Sequence, residues 1–321
     1  MATLKATGYA VLNIYSSEGP EESRVKPSRR RVIINTDAKN EADDQFAIVH
    51  GLLSPTFDVR GLIPAHFGTH RSNRSMEESR EEIDLLLDLL DLTGKVTVAN
   101  GAATGIPDEQ TPLDSPGAQL IIDESKLAGE NDPLFVSFLG PLTDMASAIL
   151  LDPELAQRNV IVVWIGGRGY NGYAADHRME FNLSNDIHAA NVVFGSGITV
   201  WQVPSDVYTK VSVSYAELEE KIGDAGPLGK YLIEQLIEWN ATYHGEPIES
   251  RSLGDSPAIS LMLYPHSGNF RTRPAPRFGV DGWYLPGTDN PIQVCEQVDV
   301  RFLLEDMFAK IRRFARQRST Q

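Results

Sequence analysis

A single cysteine, Cys295, stands among 321 residues. That excludes an internal disulfide and any zinc site built from several thiolates. No apolar run approaches the roughly 18 residues that a membrane-spanning helix needs. Basic residues are scarce: 29 Lys and Arg face 44 Asp and Glu, a net charge of -15. A phosphate backbone or an anionic membrane surface repels such a chain, so neither nucleic acid nor membrane is expected as a partner. Residues 1–28 hold no apolar core behind a basic flank, so no secretion signal is expected and a cytoplasmic location follows as the expectation. Internal repeats and low-complexity linkers are also missing. One large domain over residues 31–321 is therefore expected, behind a flexible N-terminal arm of residues 1–30. The basic run Arg29-Arg30-Arg31 reads as a solvated lead-in to the first strand.

What is present is a concentration of acid in one stretch. Val32, Ile33 and Ile34 form a short apolar run, typical of a strand buried on both faces. Asp37, Glu41, Asp43 and Asp44 follow, and then Phe46, Ala47, Val49, Leu52 and Leu53 recur at helical spacing. The carboxylates thus sit where a buried strand ends and a helix begins, the edge at which parallel α/β sheets bind ligands. Helix capping accounts for one aspartate at such a place. It does not account for four acids around one turn, which repel one another and are costly to bury unpaired. A hard cation with six to eight oxygen ligands, such as calcium, resolves the conflict.

Further along, Phe57–His66 reads as a second strand, residues 75–92 as an amphipathic helix and Lys95–Ala99 as a third strand. Leu134–Phe138, Val160–Ile165 and Ile198–Val203 read as a fourth, fifth and sixth, each followed by a helical stretch. Residues 215–244 are mostly helical, residues 268–300 suggest a terminal hairpin, and Phe302–Phe314 a final helix. Strands alternating with helices imply an α/β fold, a doubly wound and mostly parallel sheet flanked by helices. Right-handed crossovers put the loops after these strands on one edge. That edge would gather Asp37, Asp43 and Asp44, then His66, the Leu139-Gly140 backbone, Asn171, Glu180 and Asn182, and finally Asp206 and Asp255. Convergence of this kind is how an α/β active site is assembled. Single members have plainer explanations: His66 as a satisfied core histidine, Asn182 and Asp206 as caps.

Four segments, in order and over about residues 31–265, carry a resemblance. They are Asn35-Thr-Asp37 with Asp43-Asp44, Leu139–Ala146, Glu180-Phe-Asn182 with Asp186, and Gly254-Asp255-Ser-Pro-Ala258. Together they resemble the inosine-uridine-type nucleoside hydrolases. The resemblance implies a calcium ion held by Asp37, Asp43, Asp44, Asp255 and the Leu139 carbonyl, with Asp37 as the base acting on a water. It implies that Glu180, Asn182, Asn171 and His66 contact the substrate. It implies hydrolysis of a ribonucleoside to ribose and a free base, by a homodimer or homotetramer.

The pattern is not followed throughout. Residues Ala38–Ala42, with Lys39 and Glu41, make the loop between Asp37 and the Asp43-Asp44 pair longer than in the family, so it must bulge, and Lys39 becomes a cation that could approach the site. Asn35 stands where an outer aspartate is common. Gly254 stands where many members carry a histidine that protonates the leaving base, which leaves His66, His266 and Trp283 as the residues to ask about. Two other readings stay open here: a ribose- or metal-binding protein without turnover, and an aspartate-dependent phosphohydrolase. Against the latter, Asn35 occupies the start of its usual Asp-x-Asp pair.

Overall fold

The computed structural model describes residues 29–170 and 179–319. Most of the expected N-terminal arm, residues 1–28, and Asn171 lie outside them. Seven strands form the central sheet. Six are parallel, the first five being β1 (Arg30–Thr36), β2 (Phe57–Pro64), β3 (Leu134–Phe138), β4 (Val160–Ile165) and β5 (Thr199–Val203). In space they run β2-β1-β3-β4-β5, and then come Pro291–Val298, parallel to β5, and Gly268–Pro274, antiparallel to it at the edge. The last two strands are the hairpin read from the sequence. The stretch Lys95–Ala99 is not a strand. It touches β2 through one isolated bridge, Leu62↔Val98, because its neighbours on either side are turns and loop that let only one residue pair.

Alternation along each strand sends neighbouring side chains to opposite faces. Val32, Ile34, Phe135 and Val163 enter one core, packed under helices α1 (Asp44–Leu52) and α2 (Ser75–Leu89), the long helix Gly226–Tyr243, the helix Ser256–Leu263 and the C-terminal helix Val300–Arg318. Ile33, Val136, Val162 and Trp164 enter the other, under α3 (Pro116–Ser125), α4 (Thr143–Leu151) and a later helix Ile187–Gly195. Both faces are covered, as the unbroken apolar runs require. No helix among the described residues is long and apolar enough to cross a membrane.

Strand order positions the site. From β1 the chain moves first to β2 on one side, and later places β3 on the other. The loops leaving β1 and β3 therefore diverge around a crevice at the carboxyl edge, the switch point at which open α/β sheets bind ligands. Asp37 leaves the end of β1, and Leu139 the end of β3, whose registers match Asn35 with Phe138.

Candidate active site

Thirteen residues line a cavity of ≈ 60 Å³ in that crevice, among them Asp37, Asp43, Asp44, Leu139, Glu180, Asn182 and Asp255. Asp37 is buried and among the described residues its Oδ2 has no hydrogen-bond partner. Gly140 lies against it: a Cβ there would come within 2.7 Å of Asp37 Oδ1, so only glycine lets the β3 loop pass this close. Asp43 and Asp255 stand at the N-cap positions of α1 and of the helix Ser256–Leu263, yet neither side chain makes a capping bond. Both carboxylates are turned into the cavity instead. Oxygens of Asp43, Asp44 and Asp255 lie within 4.8 Å of one another, with Asp37 on the same cavity wall. The one strong donor to this group from β1 is Thr36, whose Oγ1 bonds Asp44 Oδ1 at 2.5 Å.

Burial dominates the electrostatics. It pushes Asp43 up to about 6 and Asp44 up to about 7, helped by Glu41 on the former and by Asp43 on the latter. Asp37 and Asp255 are raised well above the carboxylate range by the same burial and then by their acidic neighbours. Among the described residues no cation lines the cavity, and the nearest influence is Arg251, which opposes the rise of Asp43. Lys39, the cation of the longer loop, is held by Glu82 at 2.8 Å, and Glu41 pairs with Arg251. An all-oxygen donor set with an orphaned carboxylate oxygen fits a hard divalent cation, and the cavity has room for an ion with a water molecule.

The β4 loop supplies the other wall. Glu180 caps a short helix, Phe181–Asn185, accepting from the Asn182 and Leu183 amides, and it also accepts from the Gly167 amide at 2.8 Å and from the Tyr208 hydroxyl at 3.0 Å. Four donors use most of what a carboxylate can accept, so Glu180 fixes this corner as much as it faces the cavity. Asn182 spends both amide hydrogens on the carbonyls of Leu139, at 2.6 Å, and Ile165, at 2.9 Å. Its Oδ1 is thereby presented as an acceptor for a hydroxyl group. Asp186 is a cap, holding the Ala189 and Ile106 amides.

Other expected members fall elsewhere. His66 is buried away from the cavity lining: its Nε2 lies 2.8 Å from Thr143 Oγ1 and its Nδ1 accepts from the Gly68 amide. Burial lowers it to about 4. Its burial and two partners match the plainer reading of a satisfied core histidine. Asp206, His266 and Trp283 do not line the cavity either. Tyr208, Asn40 and Phe181 do, and sequence reading did not single them out. An aromatic at helical spacing reads as core, so no signal distinguished Tyr208. It explains Gly254: a Cβ there would lie 2.9 Å from the Tyr208 ring and 3.2 Å from Asp43 Oδ2.

Comparison with known proteins agrees with this geometry. Residues 32–305 match the family described as inosine-uridine preferring nucleoside hydrolase. A probable uridine nucleosidase 2 from Oryza sativa is 25% identical over 278 residues, 77% of this chain and 78% of the relative. A pyrimidine-specific ribonucleoside hydrolase RihA from Escherichia coli is 26% identical over 247 residues, 70% of this chain and 76% of the relative. Among solved structures, a purine-preferring ribonucleoside hydrolase from Gardnerella vaginalis superposes with a TM-score of 0.72 at 22% identity, over 89% of this chain and 99% of that one. The chain belongs to the inosine-uridine preferring nucleoside hydrolase family and is an N-ribosyl hydrolase with that family's fold.

Proposed function

We propose that the protein hydrolyses the N-glycosidic bond of a ribonucleoside to ribose and free base, with a calcium ion in the carboxylate cavity. The observation that carries this reading is Asp37 Oδ2, which among the described residues has no hydrogen-bond partner and is buried in a cavity walled by three more aspartates with no cation in its lining. Asp37, Asp43, Asp44 and Asp255 would hold the ion with the Leu139 carbonyl, which keeps a lone pair after accepting from Asn182. When bound, the ion supplies positive charge that acidifies a water molecule and favours a vicinal diol. Asp37 takes the water proton at Oδ2, as a positioned base does. Asn182 accepts from a ribose hydroxyl at Oδ1. Glu180, locked by its four donors, adds negative potential beside the ribose as positive charge grows on the ring in the transition state. Asn171 remains a further ribose contact of this reading, whereas His66, off the cavity lining and bonded to Thr143, is not retained as one. The net charge of -15 supports a small-molecule substrate in place of nucleic acid or membrane. The same reading makes the enzyme a cytoplasmic homodimer or homotetramer.

The test is ribose release from uridine, cytidine, inosine and adenosine, with calcium or with a chelator. Release that requires calcium is expected. Phosphate release from a phosphomonoester, with none of ribose, would replace this reading. A second prediction concerns the ligand set alone. Asp255→Asn is expected to weaken calcium binding at least about tenfold, since one anionic ligand of a hard cation becomes neutral. Calorimetric titration reads it, and unchanged affinity removes Asp255 from the metal site.

A further inference from the structure

The wall at Gly254 offers no free acid for a leaving base. Gly254 has no side chain, the Tyr208 ring packs beside it, and the Tyr208 hydroxyl donates to Glu180. A neighbouring wall has the features a leaving group needs. A second cavity of ≈ 400 Å³ shares Asn40 and Glu41 with the carboxylate cavity. Arg71 stands on it among three aromatic rings. Its guanidinium carbon lies 5.3 Å from the Phe181 ring centre, 5.4 Å from Tyr243 and 5.9 Å from Trp239. Its Nη1 donates to the backbone and side-chain oxygens of Asn40, each at 2.7 Å. The Asn40 amide in turn donates to the Asp37 carbonyl at 2.8 Å.

An arginine on an exposed loop has many rotamers available. This one is held by two hydrogen bonds and three ring contacts, one residue removed from the proposed base. Among the described residues its Nη2 and Nε make no hydrogen bond, so those donors remain for a ligand. Trp239 is itself fixed from both sides: its Nε1 donates to Asn40 O at 3.1 Å, and the Arg251 guanidinium lies 4.0 Å from its ring centre.

We propose that this second cavity receives the base and that Arg71 stabilises the base as it departs. The inference rests on the nucleoside hydrolase reading above. Aromatic faces accept any planar base by stacking. A guanidinium offers donors only, so it selects bases that present carbonyl oxygens, such as uracil and hypoxanthine, over adenine. In the step, the C1′–N bond breaks with its electron pair going to the base, while a C1′–O bond forms to water and the water proton passes to Asp37. The departing base carries the negative charge, spread onto its carbonyl oxygens. Arg71 hydrogen-bonds that charge without giving up a proton, which a guanidinium does not do. The base takes its proton from solvent after release.

The experiment compares wild type, Arg71→Gln and Arg71→Lys, all calcium-loaded, on uridine and on p-nitrophenyl β-D-ribofuranoside, whose nitrophenolate leaves unaided. Arg71→Gln is expected to lower kcat on uridine at least about 100-fold, a typical loss for one charge-stabilising donor. The nitrophenyl substrate should lose less than about threefold, and Arg71→Lys should fall between on uridine. Binding of free uracil, read by calorimetry, should weaken at least about tenfold in Arg71→Gln. Thermal unfolding separates these effects from misfolding, and Arg71→Lys serves if the glutamine variant is unstable. Equal losses on both substrates, or wild-type turnover of uridine by Arg71→Gln, would overturn the proposal. Wild type that cleaves neither substrate refutes the nucleoside hydrolase reading, not the base cavity. In that case uracil binding that depends on Arg71 supports the cavity, and binding that does not depend on it, or is absent, overturns it.

Discussion

Asp37→Asn is expected to lower kcat by about 1000-fold or more at saturating calcium, a barrier increase of about 4 kcal/mol. The amide has the volume of the carboxylate, so the close packing against Gly140 survives. What is lost is the capacity of Oδ2, a fully buried oxygen without a hydrogen-bond partner among the described residues, to take a proton. Measuring kcat across calcium concentrations separates the two roles given to this residue. A loss that calcium reverses marks Asp37 as a ligand only, and kcat within tenfold of wild type removes it as the base. The same substitution carries a stability signature. Asp37 is raised by burial and by Asp44 beside it, so a neutral group there relieves repulsion in the metal-free protein. Metal-free Asp37→Asn should therefore unfold at a higher temperature than metal-free wild type. Less active and more stable is the usual exchange at a site where like charges are forced together.

How far this was legible in the sequence depends on what each residue does for the fold. β1 and its acids were readable because two independent patterns meet there: an unbroken apolar run for a strand buried on both faces, and more carboxylates than a helix start can use. The bonding bears out that reasoning, since Asp43 and Asp255 stand at cap positions and cap nothing. Lys95–Ala99 misled because alternating Val96 and Val98 satisfy the strand period, while pairing depends on a neighbour that supplies only one bridge. The path of the longer loop was not readable either. Ala38 and Ala42 are wholly buried, and Gln45 and Gln235 tie down their carbonyls at 2.7 and 2.9 Å. Those contacts come from helices α1 and Gly226–Tyr243, the latter nearly 200 residues away in sequence, and no local spacing encodes them. They also direct Lys39 to Glu82. Tyr208, Trp239 and Arg71 share this limit: their place at the site is a property of packing between distant elements, and composition records only that they exist.

Calcium should raise the melting temperature of the chelated protein by about 6 °C at pH 8, and by clearly less at pH 5.5. A ligand at about 1000 times its Kd stabilises by about 4 kcal/mol, and each kcal/mol moves a chain of this size by roughly 1.5 °C. The pH dependence follows from the sign of the shifts. A carboxylate whose folded pKa lies above its ordinary value contributes stability that is present at low pH and is lost as pH rises through the folded pKa. Asp43 and Asp44 are raised to about 6 and about 7, and Asp37 and Asp255 are raised further in the same direction. Without calcium, stability should therefore fall between about pH 4 and pH 8. With calcium the carboxylates are ionised and paired, and this alkaline loss disappears. Two histidines act in the opposite sense. His50 and His66 are lowered by burial to about 4, so below pH 6.5 the unfolded chain takes up protons that the folded protein refuses, and this contribution falls as pH drops toward 4. In the metal-free protein four raised carboxylates outweigh two lowered histidines, so it should be most stable toward the acid end of this range; the calcium-loaded protein keeps only the histidine limb and rises to an alkaline plateau. Calcium affinity should tighten with pH over the same interval, because binding displaces protons from the cluster. Thermal unfolding at pH 5.5, 6.5 and 8, each with calcium and with chelator, reads both limbs. A melting temperature indifferent to calcium at pH 8, or a larger gain at pH 5.5, would mean that the four aspartates keep their protons for some purpose other than holding a cation.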